Sequence, residues 1–452
     1  MSRPTFFRDP IHLQIRFDKV DTKLPATSIE RSKLASWALQ KIIDTDQFQR
    51  LRLIRQNGLA NFVFHGAEHS RFSHSIGVHH VANRMFERIC RNMGFEESAE
   101  TRLEVLVAAL IHDIGHGAFS HTLEEILKDN HIPFHHETMT ERYIIEEGSE
   151  LNAILKEADL QLPSNVAAYF DKKKRGNDHW KYKIVSSQMD ADRLDYVQRD
   201  ALFGGIKGHG FDFERLLDLL SVHDQRSIGV DRGAVEAVEA YLVTIDQMYR
   251  AIYYHQGVRA ATQMLLSVFK RATLLWKEGD RNVFPAFGSS VHPIEVLLKE
   301  GSYIDLKYYN SITDPMIWML IDFWKNHKDS SLSDLASRLL RRDLLKTMPI
   351  TDVAFSNISS LRGRAIELTS KFISDQKCAE LYVAVDDPSR TSYKGYNYTP
   401  ESPDESIWLT GGGERDLPLE DVSNSAIVNA FKQKTYFPRL VVLPEVRDLM
   451  MA

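Results

Sequence analysis

At 452 residues, the chain has room for one large helical unit and a smaller one beside it. Its 43% hydrophobic and 26% charged residues describe an ordinary globular protein with ample material for a core. The formal charge of −6 speaks against a general nucleic-acid coat, and with only Cys90 and Cys378 there is no disulfide framework and no cysteine zinc site. The N-terminal MSRPTFFRDPIH lacks an apolar signal region, and no run of about eighteen apolar residues occurs. The expectation is a cytoplasmic protein with no membrane segment.

Helical periodicity dominates up to about residue 375. Residues 36–56 place Leu39, Ile42, Ile43, Phe48, Leu51 and Ile54 near helical spacing, with a break and recapping point at Asp44-Thr45. Residues 100–112 repeat the pattern through Leu103, Val105, Leu106, Ala109 and Leu110. Further helices are expected over 187–202, 212–221, 233–278, 314–326 and 331–346, and loops over 171–178, 203–212 and 386–405. The KKKR run inside 171–178 reads as a solvated loop. Beyond 375 the texture changes: AELYVAV, SIWLT and RLVVLP read as strands, GGGERD as a turn and NSAIVNAFKQ as a short helix. The fold class is therefore mostly α, with residues 1–375 as a helical core and 376–452 as a small α+β region.

The chemistry concentrates in LIHDIGHGAFSHTLE, residues 110–124, which places three histidines and two carboxylates at the end of an apolar helical run. An imidazole beside a carboxylate is a metal-ligand or proton-transfer pair, and it is costly to bury for packing alone. Upstream, Arg71, His74 and Val78 share one helical face. Downstream, Asp192, Tyr196 and Asp200 fall four residues apart and form a polar stripe beside Leu194 and Val197. His74, His112, Asp113 and Asp192 then supply two imidazoles and two carboxylates from three helices. That donor set suits Mn, Fe, Mg, Zn or Ni and does not choose among them. Taken singly, each histidine also reads as an ordinary hydrogen-bonded residue. No P-loop is present, because GGIKGHG lacks the Gly-Lys-Ser/Thr ending, and no Gly-x-Ser-x-Gly or catalytic cysteine context occurs.

RFSHSIGV, LIHDIGHGAFSH, the later HHE and DADRLDYVQRD resemble the signature segments of the HD-domain phosphohydrolases. With FRDPIH and KIIDTDQFQRLRLIRQNGLANFVFHGAEHSRF, the similarity runs over residues 7–260 and points to the bacterial type of the sterile-alpha-motif/HD-domain deoxynucleoside triphosphate triphosphohydrolases, without the sterile-alpha-motif domain. The resemblance implies an HD-domain helical bundle in which His74, His112, Asp113 and Asp192 hold a divalent metal ion. It implies that His116, His121 and His136 line the phosphates, with His121 an acid or base oriented by Glu124. Arg71 and Arg193 would contact phosphate oxygens. Gln56, Tyr196 and Asp200 would lie near the sugar, and Tyr253 near its 2′ edge, a place it fills equally well as a packing aromatic.

Asp44, Gln49 and Arg52 match positions that read a guanine nucleotide at a subunit interface in regulated relatives of that family. Against this, Asp44 also reads as a helix cap, Gln49 and Arg52 as solvated residues, and residues 13–35 replace and lengthen the usual link after the Asp-Pro-Ile-His segment. The expected activity is metal-dependent hydrolysis of deoxynucleoside triphosphates to deoxynucleoside and tripolyphosphate by a homo-oligomer, a dimer or tetramer, with a nucleotide effector as a further partner. The alternatives are a metal-dependent phosphodiesterase or nuclease on single-stranded nucleic acid, which the negative charge disfavours, and a nucleotide-sensing regulator.

Overall fold

Three helices set the frame, and the sequence explains why each forms where it does. The helix Arg71–Met93 starts after the extended Ser70 and stops at Gly94, whose φ of 65° lets its N–H close back on the last turn. The helix Ala99–Ile111 is capped by Ser98, which accepts from the Thr101 N–H, and every residue from Leu103 to Ile111 is buried. Apolar from Val105 onward on every side, with the buried Glu104 paired to Lys181, it is the central rod of the core. The helix Ala191–Phe203 begins at Asp190, which caps the Arg193 N–H. The first of these helices packs against the other two. Each therefore brings one stretch of the motif to a single crossing region.

The computed structural model describes residues 5–451, apart from 172–173, 176–178, 208–209, 287, 289–290, 351–356 and 397–404. Most of the KKKR loop, the tip of 203–212 and part of 386–405 thus lie outside the described residues. The architecture is mostly helical, with short strands gathered toward the C-terminal part. Among the described residues, no helix is long and apolar enough to cross a membrane.

Several elements depart from the expectations. The N-terminal segment forms an antiparallel hairpin of β1 (Thr5–Asp9) and β2 (Leu13–Phe17). Only Ile15 and Phe17 of β2 are buried, an alternation too short to register as a strand signal. Between 36 and 56, the helix Leu34–Ile43 ends at the expected break, but the cap of the next turn is Thr45, whose Oγ1 accepts from the Phe48 N–H, while Asp44 stays exposed. The long helix expected over 233–278 is interrupted: Val235–Met248 runs into a π-helical turn at Tyr249–Tyr253 before Gln256–Lys277 resumes. The helix expected over 331–346 ends at Leu340, and β5 (Lys346–Pro349) follows.

In the C-terminal part, AELYVAV is not a strand along its length. Residues Gln376–Tyr382 form a 3-10 turn, and only β6 (Ala384–Asp386) is extended. Cys378, Ala379, Leu381 and Tyr382 are buried while Glu380 between them is exposed, and so short an apolar run does not tell helix from strand by period. SIWLT contains β8 (Trp408–Thr410), RLVVLP contains β11 (Arg439–Val442), and NSAIVNAFKQ contains the helix Ala426–Phe431. The turn GGGERD has Gly411, Gly412 and Gly413 all at positive φ. A Cβ on Gly411 would stand 2.2 Å from Asp231 Oδ2, so this glycine also serves a close approach.

Apart from a two-stranded antiparallel sheet of Ser389–Thr391 with Lys434–Tyr436, these strands join sheets that begin earlier in the chain. A β3–β4 hairpin (Leu220–His223, Ser227–Asp231) accepts β8 in parallel on β4, and β5 with β6 flanks β11 antiparallel. The C-terminal chain thus adds strands to segments that belong to the helical part.

One long-range contact bears directly on the motif. Asp314, almost wholly buried at the start of the helix Asp314–Trp324, accepts the Phe119 N–H at 2.8 Å and the Arg55 N–H at 2.9 Å. Phe119 and the following Ser120 both have positive φ, 54° and 57°, so the carboxylate secures a strained turn. Burial pushes the Asp314 carboxyl up to about 6, with the two N–H donors opposing it. Because the folded-state pKa is raised, this group favours folding most below pH ~4, and that contribution is lost as pH rises through about 6. Asp314→Asn should lower stability by about 1–3 kcal/mol, since an amide accepts only one of the two N–H groups. Chemical denaturation of both proteins from pH 4 to 7 checks this, and the decline of stability with pH should be shallower in the variant.

Candidate active site

His74, His112, Asp113 and Asp192 converge where the three helices meet. His74 comes from the first turn of Arg71–Met93 and is wholly buried, His112 caps the end of Ala99–Ile111 with Asp113 next to it, and Asp192 lies in the first turn of Ala191–Phe203. His74 Nε2 lies 2.9 Å from Asp192 Oδ1 and 3.3 Å from His112 Nε2. His112 Nε2 is 3.7 Å from Asp192 Oδ1 and 3.4 Å from Asp113 Oδ1, and His74 Nε2 is 3.8 Å from Asp113 Oδ2. His112 Nδ1 bonds the Ala109 carbonyl at 2.9 Å and His74 Nδ1 bonds Asp195 Oδ2 at 2.7 Å, so both rings turn Nε2 inward.

The electrostatics favour a cation there. Burial alone would lower the His74 pKa, but Asp192 and Asp195 outweigh it and raise it to about 10. His112 is likewise raised, against burial, by Asp113 and Asp192. Asp192 lies well below the usual carboxylate range despite burial, because both imidazoles hydrogen-bond to it. Two imidazole nitrogens and the Asp192 carboxylate face one point, with Asp113 3.4 Å from His112 beside them, a donor set that fits a divalent metal ion of the hard to borderline class.

Beside this quartet lies a second cluster. His116, His121, Glu124 and His136 bring their side-chain donor atoms within 4.8 Å of one another. The His116 ring stacks on His136 at 3.9 Å, an approach made possible by Gly115, whose Cβ would lie 2.1 Å from the His136 carbonyl oxygen. Glu124 binds His136 more closely than His121: its Oε1 is 2.5 Å from His136 Nδ1 and accepts the His136 N–H at 2.9 Å, while its Oε2 is 3.5 Å from His121 Nδ1. The Glu124 carboxyl lies far below its ordinary range, with His121 and His136 overriding the effect of burial. Burial, reinforced by Arg71 and the neighbouring imidazoles, holds His116 neutral. His121, by contrast, leaves 67% of its side chain exposed.

Arg71 ties the two clusters together. Its Nε donates to Ser120 Oγ at 2.9 Å, its Nη1 donates to Asp113, and Asp113 Oδ1 also lies 3.4 Å from His116 Nε2. The Asp113 carboxyl, which burial would raise, is held low by this guanidinium and by the imidazoles.

A cavity of about 440 Å³ opens over both clusters and takes in Gln56, Arg71 and Tyr196 as well. Gln56 Oε1 is buried there without a hydrogen-bond partner among the described residues. His74 and Glu124 lie behind this wall, and Arg193, Asp200 and Tyr253 are not on it either. Arg193 lines a smaller cavity of about 160 Å³ that shares Ser186 and Asp190 with the first, its Nε 3.7 Å from Asp190 Oδ2. Asp200 accepts from Tyr253 Oη at 2.5 Å and from His69 Nε2 at 2.8 Å, and the Tyr253 ring stands 6.2 Å from Tyr196. These two residues therefore back Tyr196. Away from the cavity, Gln49 bonds the Ile43 carbonyl and Arg52, and Arg52 stacks over Phe72, with Asp44 exposed beside them.

Sequence reasoning missed three residues here. Asp195 is the buried partner of His74, and the only signal for it was a carboxylate three residues after Asp192 and four before Arg199. Asp190 caps the same helix, and burial lifts its carboxyl to about 7 against the pull of Arg193. Arg175, the last residue of the KKKR run read as solvated, is buried, donates to the Ala168 carbonyl at 2.9 Å and lines the cavity. No sequence signal separated it from the lysines before it.

Comparison with known proteins agrees with this geometry. The sequence matches the HD domain over residues 71–200 and the HD associated region over residues 211–281. It is 31% identical over 449 residues to YwfO of Bacillus subtilis, an uncharacterised protein, covering 97% of this chain and 93% of that one. It is 29% identical over 307 residues to the deoxynucleoside triphosphate triphosphohydrolase SAMHD1 of Gallus gallus, covering 60% of this chain and about half, 49%, of that one. A phosphohydrolase structure from Bacteroides thetaiotaomicron shares the fold with a TM-score of 0.76 at 23% identity, over 97% of this chain and 100% of the other. With the HD pair, its histidine and aspartate partners and this likeness along nearly the whole sequence, the chain belongs to the HD-domain family of metal-dependent phosphohydrolases.

Proposed function

We propose that the protein hydrolyses deoxynucleoside triphosphates to deoxynucleoside and inorganic tripolyphosphate. The observation that carries this reading is one cavity lined by His112, Asp113 and Asp192, by the imidazoles of His116, His121 and His136, by the Arg71 guanidinium, by Tyr196 and by Gln56, whose amide oxygen is unpaired among the described residues. At about 440 Å³ the space suits a nucleotide-sized ligand. The likeness to proteins named as deoxynucleoside triphosphate triphosphohydrolases supports the same substrate class.

A divalent cation held by His74, His112, Asp113 and Asp192 supplies charge that polarises a phosphoryl oxygen and acidifies nearby water. The remaining work falls to side chains. Arg71 has Nε and Nη1 committed to Ser120 and Asp113, which leaves Nη2 for a phosphate oxygen. His116, held neutral, offers a hydrogen bond without adding charge. Water adds to the α-phosphorus, the bond to the 5′-oxygen breaks, and that oxygen needs a proton because an alkoxide leaves poorly. His121, exposed to the cavity with Glu124 behind it, supplies that proton. Tyr196 and Gln56 border the sugar, with Asp200 and Tyr253 behind Tyr196.

Incubation with Mn²⁺ and then Mg²⁺ against separate dNTPs, NTPs and labelled oligonucleotides tests the assignment. Phosphorus NMR should show tripolyphosphate from a single cleavage. Pyrophosphate with nucleoside monophosphate, or orthophosphate with diphosphate, overturns it, and cleavage of the oligonucleotides alone makes the protein a nuclease. Asp192→Asn should leave a folded protein that binds metal at least about tenfold more weakly and has little activity, because an amide is a poorer ligand. Elemental analysis checks the first point. His121→Ala should lower kcat by roughly 10²–10⁴ with metal retained. If steady-state kinetics show only a raised KM, His121 binds phosphate and another group moves the proton.

A further inference from the structure

The carboxylate of Asp195 has no contact with solvent and is fully engaged. Oδ2 accepts from His74 Nδ1 and from Arg199 Nε, both at 2.7 Å. Oδ1 accepts from His12 Nε2 at 2.7 Å and from Arg199 Nη2 at 2.9 Å. Arg199, itself wholly buried, spends its third nitrogen on Asp9 Oδ2 at 2.8 Å. Asp9 Oδ1 in turn accepts the Ile11 and His12 N–H groups, each at 2.9 Å, and so folds the turn between β1 and β2 that presents His12. The His12 side chain is 3% exposed, so its imidazole is inserted into the core although Pro10 and Leu13 at the same turn stay exposed.

A glycine confirms how tightly this arrangement is fitted. Gly77 lies on the helix Arg71–Met93 one turn after His74, and a Cβ there would stand 2.1 Å from Asp195 Oδ1 and 2.3 Å from Arg199 Nη2. Asp9 and Asp195 share the one guanidinium of Arg199, and Asp195 also faces the outer nitrogen of His74. A carboxylate on the outer nitrogen of a ligating imidazole fixes its tautomer and raises its basicity.

We propose that the Asp9–His12 turn is a positioning element of the metal centre: His12, acting through Asp195, sets the orientation and basicity of His74 and thereby the affinity for the divalent ion. The proposal rests on the reading of His74, His112, Asp113 and Asp192 as the metal ligands. It makes the N-terminal hairpin part of the site, although none of its residues borders the substrate cavity.

Mn²⁺ titrated into metal-free full-length protein, with the free ion followed by electron paramagnetic resonance, measures the affinity directly and needs no turnover. His12→Ala and His12→Leu, which lack the donor, should raise the Mn²⁺ Kd by about 10- to 100-fold. His12→Gln, whose amide N–H reaches the same carboxylate, should recover most of that loss. Circular dichroism and the Tm of the metal-free proteins identify variants that fail to fold. If the Ala variant is one of these, the Gln and Leu pair, closer to His in volume, carries the comparison. Equal affinity in wild type and a folded donor-less variant overturns the proposal, and so does equal weakening by Gln and Leu, which would mark a packing role. Failure of the metal reading itself is visible earlier, as a wild-type protein that binds no Mn²⁺ or whose binding survives Asp192→Ala.

Discussion

Charge balance at the crossing of the three helices is the constraint on which the rest of the structure depends. Four aspartates crowd that region, and three of them have an arginine: Asp113 has Arg71, Asp195 has Arg199, and Asp190 has Arg193. Among the described residues Asp192 has none and faces two imidazoles instead. The half-buried Asp192 carboxylate, with an imidazole on each side, draws both rings toward their charged forms in place of a guanidinium. A metal ion would release those protons and take over the same role. The arginines thus do more than neutralise. They hold three carboxylates in place, and they leave the fourth as the unpaired charge around which the site is organised.

The same constraint explains why so much sequence is spent on supporting turns. Arg71 serves both Asp113 and Ser120, so the metal-ready quartet and the strained turn before His121 share one guanidinium. Gly115 and Gly77 each mark a place where another element approaches within the space of a methyl group. A bulkier residue at either position would displace a ligand-bearing segment before it disturbed the core. The π-helical turn at Tyr249–Tyr253 places the Tyr253 hydroxyl on Asp200, so that Tyr196 is backed by a bonded pair.

The quartet and the histidine cluster were legible in the sequence because their residue types are costly away from a function and fall in compact, spaced motifs. The helices that carry them were legible for the simpler reason of long, strong periodicity. Asp195 was not, because nothing local separates a ligating carboxylate from one that holds the ligand. That distinction depends on the rotation of Ala191–Phe203 against Arg71–Met93, which is a tertiary property. The hairpin at 5–17 was missed because its strands have five residues each, and Thr45 displaced Asp44 as the cap because either side chain suits that role locally. Arg175 was hidden by its neighbours, since a basic run looks solvated whether or not its last member turns inward.

The bond from Asp314 to the Phe119 N–H spans 195 residues and has a bearing on the order of events during synthesis. The quartet is complete in sequence once Asp192 has been made, and the histidine cluster earlier still. The Phe119 N–H in the turn before His121, like the N–H of Arg55, lacks its Asp314 partner until the ribosome has passed residue 314 and that stretch has cleared the exit tunnel. A contact of such separation forms late, after the local helices have closed. The nascent chain therefore carries His74, His112, Asp113 and Asp192 well before the contact that secures the turn leading to His121 can form.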